Sequence, residues 1–370
     1  MAKDKALSRE LAFLTAVCLD IPPDPDRYPA DMNRLKKMAR WHGLRPLVLD
    51  YIIRHKIDIP FIEELKADCR DTAFFNLIMV RELTSLQELM SRKGVDCYAY
   101  KGSFWSDWLY DDISLREYGD IDLLVPEKSV MDCLRSITLE AGYKPDDYRT
   151  YLLDRQNTRN AFFRTDYHIP MIKAQGEYPI TLEVHWRNAY PRLSFEFPSS
   201  EWRRYSKSYR IRDSVIRGFT NEYQLLLLLV HHSGKEEWEK LKYIADFARY
   251  MKKYGADTDW PLVFELAKRK GIYWLLQSGF EILQALGLEW RAEWPAIDQR
   301  GAWELPGKLV DHWEAMPPQK ANSTWAYFKN GIRSRDGFYH RRKVLQAHLK
   351  YFSEWSLLWQ KTKWYGKNGA

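Results

Sequence analysis

The sequence predicts an α+β protein, a small mixed β-sheet core flanked by N-terminal and C-terminal helical regions. Three observations predict it. Apolar residues recur at helical spacing up to Lys93, short segments with a period of two follow between Val95 and Trp186, and helical spacing returns from Asn221. The division expected is a helical region over 1–93, an α/β core over 94–200, a helical region over 201–330 and a basic, aromatic tail over 331–370. With 370 residues and 45% hydrophobic content the chain can bury a sizeable core.

In order along the chain, LSRELAFLTAV, NRLKKMARWHGLRPLVLDYII and FFNLIMVRELTSLQELMSRKG carry apolar positions three and four apart, with prolines at 22, 23, 25, 29 and 60 between them and Gly94 ending the last. VDCYAY is a β-branched and aromatic run, and it leads into Lys101-Gly102-Ser103 and a helix-like FWSDWLY. DIDLLV reads as a strand, 127–141 as a helix, and 160–164 and 180–186 as strands. From Asn221, NEYQLLLLLVHHSGKEEWEKLKYIADFARYMKK reads as two helices, with further helices over 259–289 and 339–364.

Composition excludes several classes. The longest apolar run, Leu225 to Val230, is far short of the roughly 20 residues a membrane-spanning helix needs. Leu11 to Val17 lies behind charged residues and lacks a small-residue cleavage site, so no signal peptide is expected. Cys18, Cys69, Cys97 and Cys133 form no CxxC pair, and reduced cysteines in a cytoplasmic protein are the expectation. The formal charge is +7, but 331–370 holds nine Lys or Arg against two acids, so residues 1–330 sum to zero. That neutrality argues against a nucleic-acid partner for the body of the protein.

The candidate chemistry lies in the middle. On a strand, residues two apart share a face, so Asp120 and Asp122 project together while Ile121, Leu123 and Val125 turn to the core. Like charges held side by side are unfavourable, and a divalent cation with a preference for oxygen ligands, Mg²⁺ or Mn²⁺, is the usual compensation. A DxD on a solvated edge strand is the competing structural reading. Lys101-Gly102-Ser103 stands at a strand-to-helix junction, where glycine lets the backbone approach a phosphate and the helix N-terminus favours negative charge; an ordinary helix cap by Ser103 is the alternative. In ITLEVHWRN, alternation puts Thr181, Glu183 and His185 on one face. If that strand neighbours DIDLLV in one sheet, Glu183 completes a three-carboxylate cluster.

A GS-type turn and helix, then a D-h-D strand (h hydrophobic) and a later acidic strand, resembles the nucleotidyltransferase superfamily that includes DNA polymerase β and the aminoglycoside nucleotidyltransferases. More closely, the KG turn, RxxGDIDLLV, LEVHWR and the helix pair with HH and LKYIADFA resemble the bacterial "uncharacterised nucleotidyltransferase" family, over residues from about 10 to 260. In this sequence Lys101 stands before Gly102 where the superfamily commonly has a hydrophobic residue. The resemblance implies that Gly102 and Ser103 hold a triphosphate, that Asp120, Asp122 and Glu183 hold Mg²⁺ or Mn²⁺ and are catalytic, and that Lys101 and Arg116 occupy basic positions of the family pattern, facing the nucleotide. The implied reaction is transfer of a nucleoside monophosphate from an NTP to a hydroxyl of an unidentified small-molecule, glycan-pathway or peptide or protein acceptor. A catalytically silent nucleotide-binding or scaffold protein on the same fold, or an RNA-modifying enzyme, are the competing readings.

Weaker candidates complete the list. His185, on the Glu183 face, could orient that carboxylate or contact substrate; the bland reading for it and for His168 is a partly exposed strand histidine. His231 and His232 diverge by about 100° on a helix, so both cannot easily bind one ion. Lys242 and Asp246, four apart, are spaced to pair on a helix; Lys242 is also a candidate triphosphate contact. In the tail, Val344, His348, Tyr351, Phe352, Trp355, Leu358 and Trp359 recur at helical spacing among basic residues. Packing of that stripe on the protein itself is one reading; contact with a membrane surface or an acidic partner is the other.

Overall fold

The computed structural model describes residues 7–174, 179–211, 213–298, 307–315 and 324–368. Two of its N-terminal helices start where the sequence supplies side-chain caps. The Ser8 hydroxyl accepts from the Leu11 amide to open Arg9–Leu19, and the Asp31 carboxylate accepts from the Arg34 amide to open Met32–His42. Ile62–Arg92, at 31 residues about 46 Å long, buries Met79, Val80, Leu83, Leu86 and Met90 along one stripe and delivers the chain to the sheet.

The main sheet has five strands in the order β1-β2-β5-β4-β3: β1 is Tyr98–Ala99, β2 Asp120–Leu124, β3 Lys144–Pro145, β4 His168–Lys173 and β5 Ile180–His185. β2 and β5 pair in parallel, and the other pairs are antiparallel. Ile121 and Leu123 of β2, with Leu182 and Val184 of β5, are fully buried, so one face of the sheet is core and the other is free to carry polar groups. This is the α+β arrangement the sequence predicts.

Three local expectations change. Residues 160–164, read as a strand, belong to the helix Gln156–Thr165, in which Ala161, Phe162 and Thr165 face inward at helical spacing; the strand begins at His168. The run VDCYAY pairs only through Tyr98 and Ala99. A two-stranded hairpin, β6 (Ser206–Ile211) with β7 (Ser214–Phe219), stands within the region read as helical. Apart from the exposed Val215, its outward positions are polar or charged, and its core contribution is confined to Ile211, Ile216, Phe219 and the small Gly218, too little for alternation to be visible. Gln87 of the long helix secures it: the side-chain amide donates to the Arg217 carbonyl and accepts from the Arg217 amide, at 2.9 and 2.8 Å.

After the hairpin, Asn221–Leu229 is buried along most of its length and runs into a wider turn, Val230–Lys235. Leu241–Tyr254 then packs on the first helix, Arg9–Leu19. The tail forms two helices, Gly337–Ser353 and Trp355–Asn368, broken at Glu354. Among the described residues no helix is long and apolar enough to cross a membrane.

Candidate active site

The polar face of β2 and β5 carries the acids. Parallel pairing sets Asp120 opposite Thr181 and Asp122 opposite Glu183, without offset. The two strands are therefore neighbours, and the third acid is delivered beside the second.

Asp122 is only 3% exposed. A carboxylate so buried needs partners, and it has two: Lys101 Nζ at 2.6 Å and His185 Nε2 at 2.9 Å, both on Oδ1. His185 Nε2 also lies 3.0 Å from Glu183 Oε2. Between two carboxylates, Nε2 is assigned the hydrogen, so in the neutral ring Nδ1 accepts from the Tyr100 hydroxyl, at 3.1 Å. His168 Nε2 stands 3.5 Å from the other Glu183 oxygen, and its ring stacks on His185. Asp122, Glu183 and His185 present donor atoms all within 4.8 Å of one another. Asp120, half-buried at the start of β2, lies outside that group but close enough to interact with it electrostatically.

These surroundings divide the carboxylates. Burial first, then the neighbouring Asp122, pushes Asp120 up to about 6. Burial acts the same way on Asp122, but Lys101 and the His185 hydrogen bond outweigh it and hold the group below its ordinary value. Glu183 is likewise held low against burial by hydrogen bonds from His168 and His185.

The turn before the site is strained. Lys101 has φ +58° and ψ −160°, a conformation that costs a residue with a side chain about 1–3 kcal/mol. Gly102 follows at φ +43°, and a Cβ there would lie 2.7 Å from the Asp120 carbonyl oxygen. Only glycine lets the turn close onto β2. Gly102 opens the helix Gly102–Tyr110, whose first turn includes Ser103; the Ser103 hydroxyl is buried without a partner at hydrogen-bonding geometry, although the Tyr118 hydroxyl is near enough to interact with it.

The remaining candidates sit further out. Arg116 is buried and turned to Asp246, with Nε 3.0 and 3.1 Å from the two carboxylate oxygens. His232 Nε2, at 2.9 Å, and the Tyr110 hydroxyl, at 2.8 Å, complete the shell of Asp246. The pairing of Lys242 with Asp246 expected from their spacing does not form, because Arg116 supplies a forked, geometrically matched donor. Lys242 Nζ instead donates to the Glu117 carbonyl at 3.4 Å, near the start of β2. Burial, then repulsion from Arg116, lowers Lys242 to about 8. Of the histidine pair, His232 belongs to the Asp246 network, while His231 touches its neighbour through Nδ1 and packs edge-on to Trp105.

The expectation of partly exposed strand histidines is corrected: His168 is buried, and His185 is 0% exposed and joins the two acids. Its place on the Glu183 face was visible from alternation. Its burial was not, because that comes from Tyr100 and Tyr167 packing edgewise and obliquely on the ring, and from His168 of the neighbouring strand β4 stacking on it.

A mixed sheet with an acid pair on one strand, a third acid beside it on a parallel neighbour and a glycine turn closing onto the first defines an enzyme of the nucleotidyltransferase class. The chain belongs to the family described as uncharacterised nucleotidyltransferase, whose model matches residues 28–287. Comparison with curated proteins and with solved structures gave no match.

Proposed function

We propose that the protein transfers a nucleoside monophosphate from an NTP to a hydroxyl of an acceptor, releasing pyrophosphate, in a reaction that depends on Mg²⁺ or Mn²⁺. The observation that carries this reading is the convergence of Asp122, Glu183 and His185 within 4.8 Å, beside Asp120 and a strained glycine turn. Two carboxylates and an imidazole are a chemically apt donor set for a divalent cation, and three acids against one ammonium leave the site with negative charge to be neutralised. Asp122 and Glu183 would hold the cation, joined by His185 Nε2 once the ring hydrogen sits on Nδ1 and is donated to the Tyr100 oxygen, with Asp120 at the exposed end. When bound, it would supply charge neutralisation for the triphosphate and acidify the acceptor hydroxyl.

The chain's own residues do the rest. Gly102 and Ser103 bring backbone amides and a hydroxyl at a helix N-terminus to the phosphates. Lys101, paired with Asp122 before substrate arrives, turns its ammonium to the phosphate oxygens. Arg116 acts through Asp246, holding the helix Leu241–Tyr254 so that Lys242 reaches the triphosphate. The acceptor oxygen attacks the α-phosphorus and its bond forms there; the bond from that phosphorus to the bridging oxygen breaks, and the electron pair leaves with pyrophosphate. Glu183, or Asp120 at the rim, receives the acceptor's proton.

The test is incubation of purified protein with each labelled NTP, Mg²⁺ or Mn²⁺ and candidate small-molecule, glycan and peptide acceptors, following pyrophosphate and label, alongside Mn²⁺ binding by electron paramagnetic resonance. Expected are metal-dependent release and Mn²⁺ binding that Asp122→Asn and Glu183→Gln remove. Mn²⁺ binding and nucleotide turnover indifferent to both substitutions would sink the reading.

A further inference from the structure

The tail helices meet the protein on one side only. Val344 and His348 of Gly337–Ser353 face inward against the short turn Pro191–Leu193 and the helix Thr324–Arg333, and Leu357 anchors Trp355–Asn368 against Gln156–Thr165. The opposite side is apolar and open. Phe338, Leu345, Leu349 and Phe352 fall at i, i+7, i+11 and i+14, one stripe of a helix, and all are exposed. Past the break at Glu354, Trp355 and Trp359 are four apart and 75% and 68% exposed. The helical stripe expected from the sequence is thus divided, with Val344 and His348 turned in and Phe352, Trp355 and Trp359 turned out.

Basic side chains border this face. Residues 337–368 carry seven Lys or Arg and one acid, and that acid, Glu354, is held by both Arg164 nitrogens at 2.7 and 2.9 Å. Arg342 and Lys363 flank the stripes on their respective helices, with Lys350 and Lys367 further round, all exposed. Each helix thus presents an apolar strip bordered by basic side chains, a pattern complementary to the headgroup boundary of an anionic bilayer, where Trp and Phe enter the interface and Lys and Arg meet lipid phosphates. A second copy of the chain would bring the same positive charge against itself, which disfavours self-association through this face.

We propose that the helices Gly337–Ser353 and Trp355–Asn368 form a peripheral docking surface for an anionic lipid bilayer, seating the enzyme on a membrane without crossing it. The inference is independent of the metal and nucleotide reading. Its test is co-sedimentation of the full chain with vesicles of phosphatidylcholine alone and of phosphatidylcholine containing phosphatidylglycerol, at low and high salt. Comparison variants are W355S/W359S and R342E/K350E/K363E, their folding checked by circular dichroism and thermal unfolding.

Expected is partitioning to the anionic vesicles only, weakened by salt. The tryptophan pair should lower it by about tenfold or more, since even partial burial of two large apolar side chains is worth that much. Charge reversal should abolish it. Absence of partitioning to anionic vesicles, or partitioning that both variants retain, overturns the proposal. So does light scattering that shows a dimer dissolved by W355S/W359S in a chain that ignores vesicles, or binding of a nucleic-acid duplex in preference to vesicles.

Discussion

Two buried charge clusters lie within this fold, and they differ in balance. Around Asp246, one carboxylate meets one guanidinium, a histidine and a tyrosine hydroxyl, all at 2.8–3.1 Å, and acid and base cancel. Around Asp122, three carboxylates share a single ammonium and the imidazoles of His185 and His168, at the end of a turn with two consecutive positive φ values. Asp122 and Asp246 are both buried, so burial alone does not separate the two clusters; excess charge of one sign beside a strained turn sets the candidate site apart.

The comparison is open to attack, first where the effect is largest. Asp122→Asn should lower nucleotidyl transfer by about a thousandfold or more while the fold persists, measured as pyrophosphate release and as circular dichroism. Asp246→Asn should do the reverse: it leaves Arg116 buried and unpaired, at a cost of about 3–5 kcal/mol in urea unfolding. If Asp246→Asn removed activity at unchanged stability, the division between the clusters would collapse. Gly102→Ala comes next. Its methyl group meets the Asp120 carbonyl, so a loss of about 1–3 kcal/mol and a lower turnover are expected, whereas alanine at the exposed Gly366 should change neither.

Protonation sharpens the contrast more gently. His42 and His232 are both depressed to about 4, in each case by burial, opposed by the Trp313 carbonyl hydrogen bond for His42 and by Asp246 for His232. With an unfolded value near 6.5, the unfolded chain binds more protons between 6.5 and 4, so stability rises with pH in that window. It should be fully present above 6.5 and fall as pH drops towards 4, measured by urea midpoints. His42→Gln should flatten part of that slope; an unaltered slope would remove His42 from the account. The smallest effect is expected at Lys242→Ala, a rise of about tenfold in KM for the NTP at unchanged urea midpoint. A change in turnover alone would place Lys242 elsewhere in the mechanism.

How much of this was legible in the sequence depends on the range of the forces involved. Period-two alternation is local, so the faces of β2 and β5 and the shared direction of Asp120 with Asp122, and of Glu183 with His185, were readable directly. The direct pairing of those strands is a tertiary fact; it followed in the sequence only from family resemblance. Spacing misled at Lys242 and Asp246, where a guanidinium 130 residues away outcompeted a neighbour one turn away. It misled again over 160–164, where two adjacent phenylalanines suit either period. The β6–β7 hairpin escaped because its stability comes largely from outside it, through Gln87 and the packing of Phe219 against Tyr98 and Trp202.

The parallel register of β2 and β5 has a consequence in time. Asp122 and His185 are 63 residues apart, and the described chain between them holds three α-helices, Val130–Ser136, Asp147–Asp154 and Gln156–Thr165, and the strands β3 and β4. Closing a loop of that length precedes any reward from the contacts it brings, so this pairing belongs to the slow, non-local part of folding. On a chain synthesised from its N-terminus, the turn and the first two acids are present well before their partner emerges. The acid cluster therefore assembles all at once, with β5, and a partly made chain holds its pieces without the cluster.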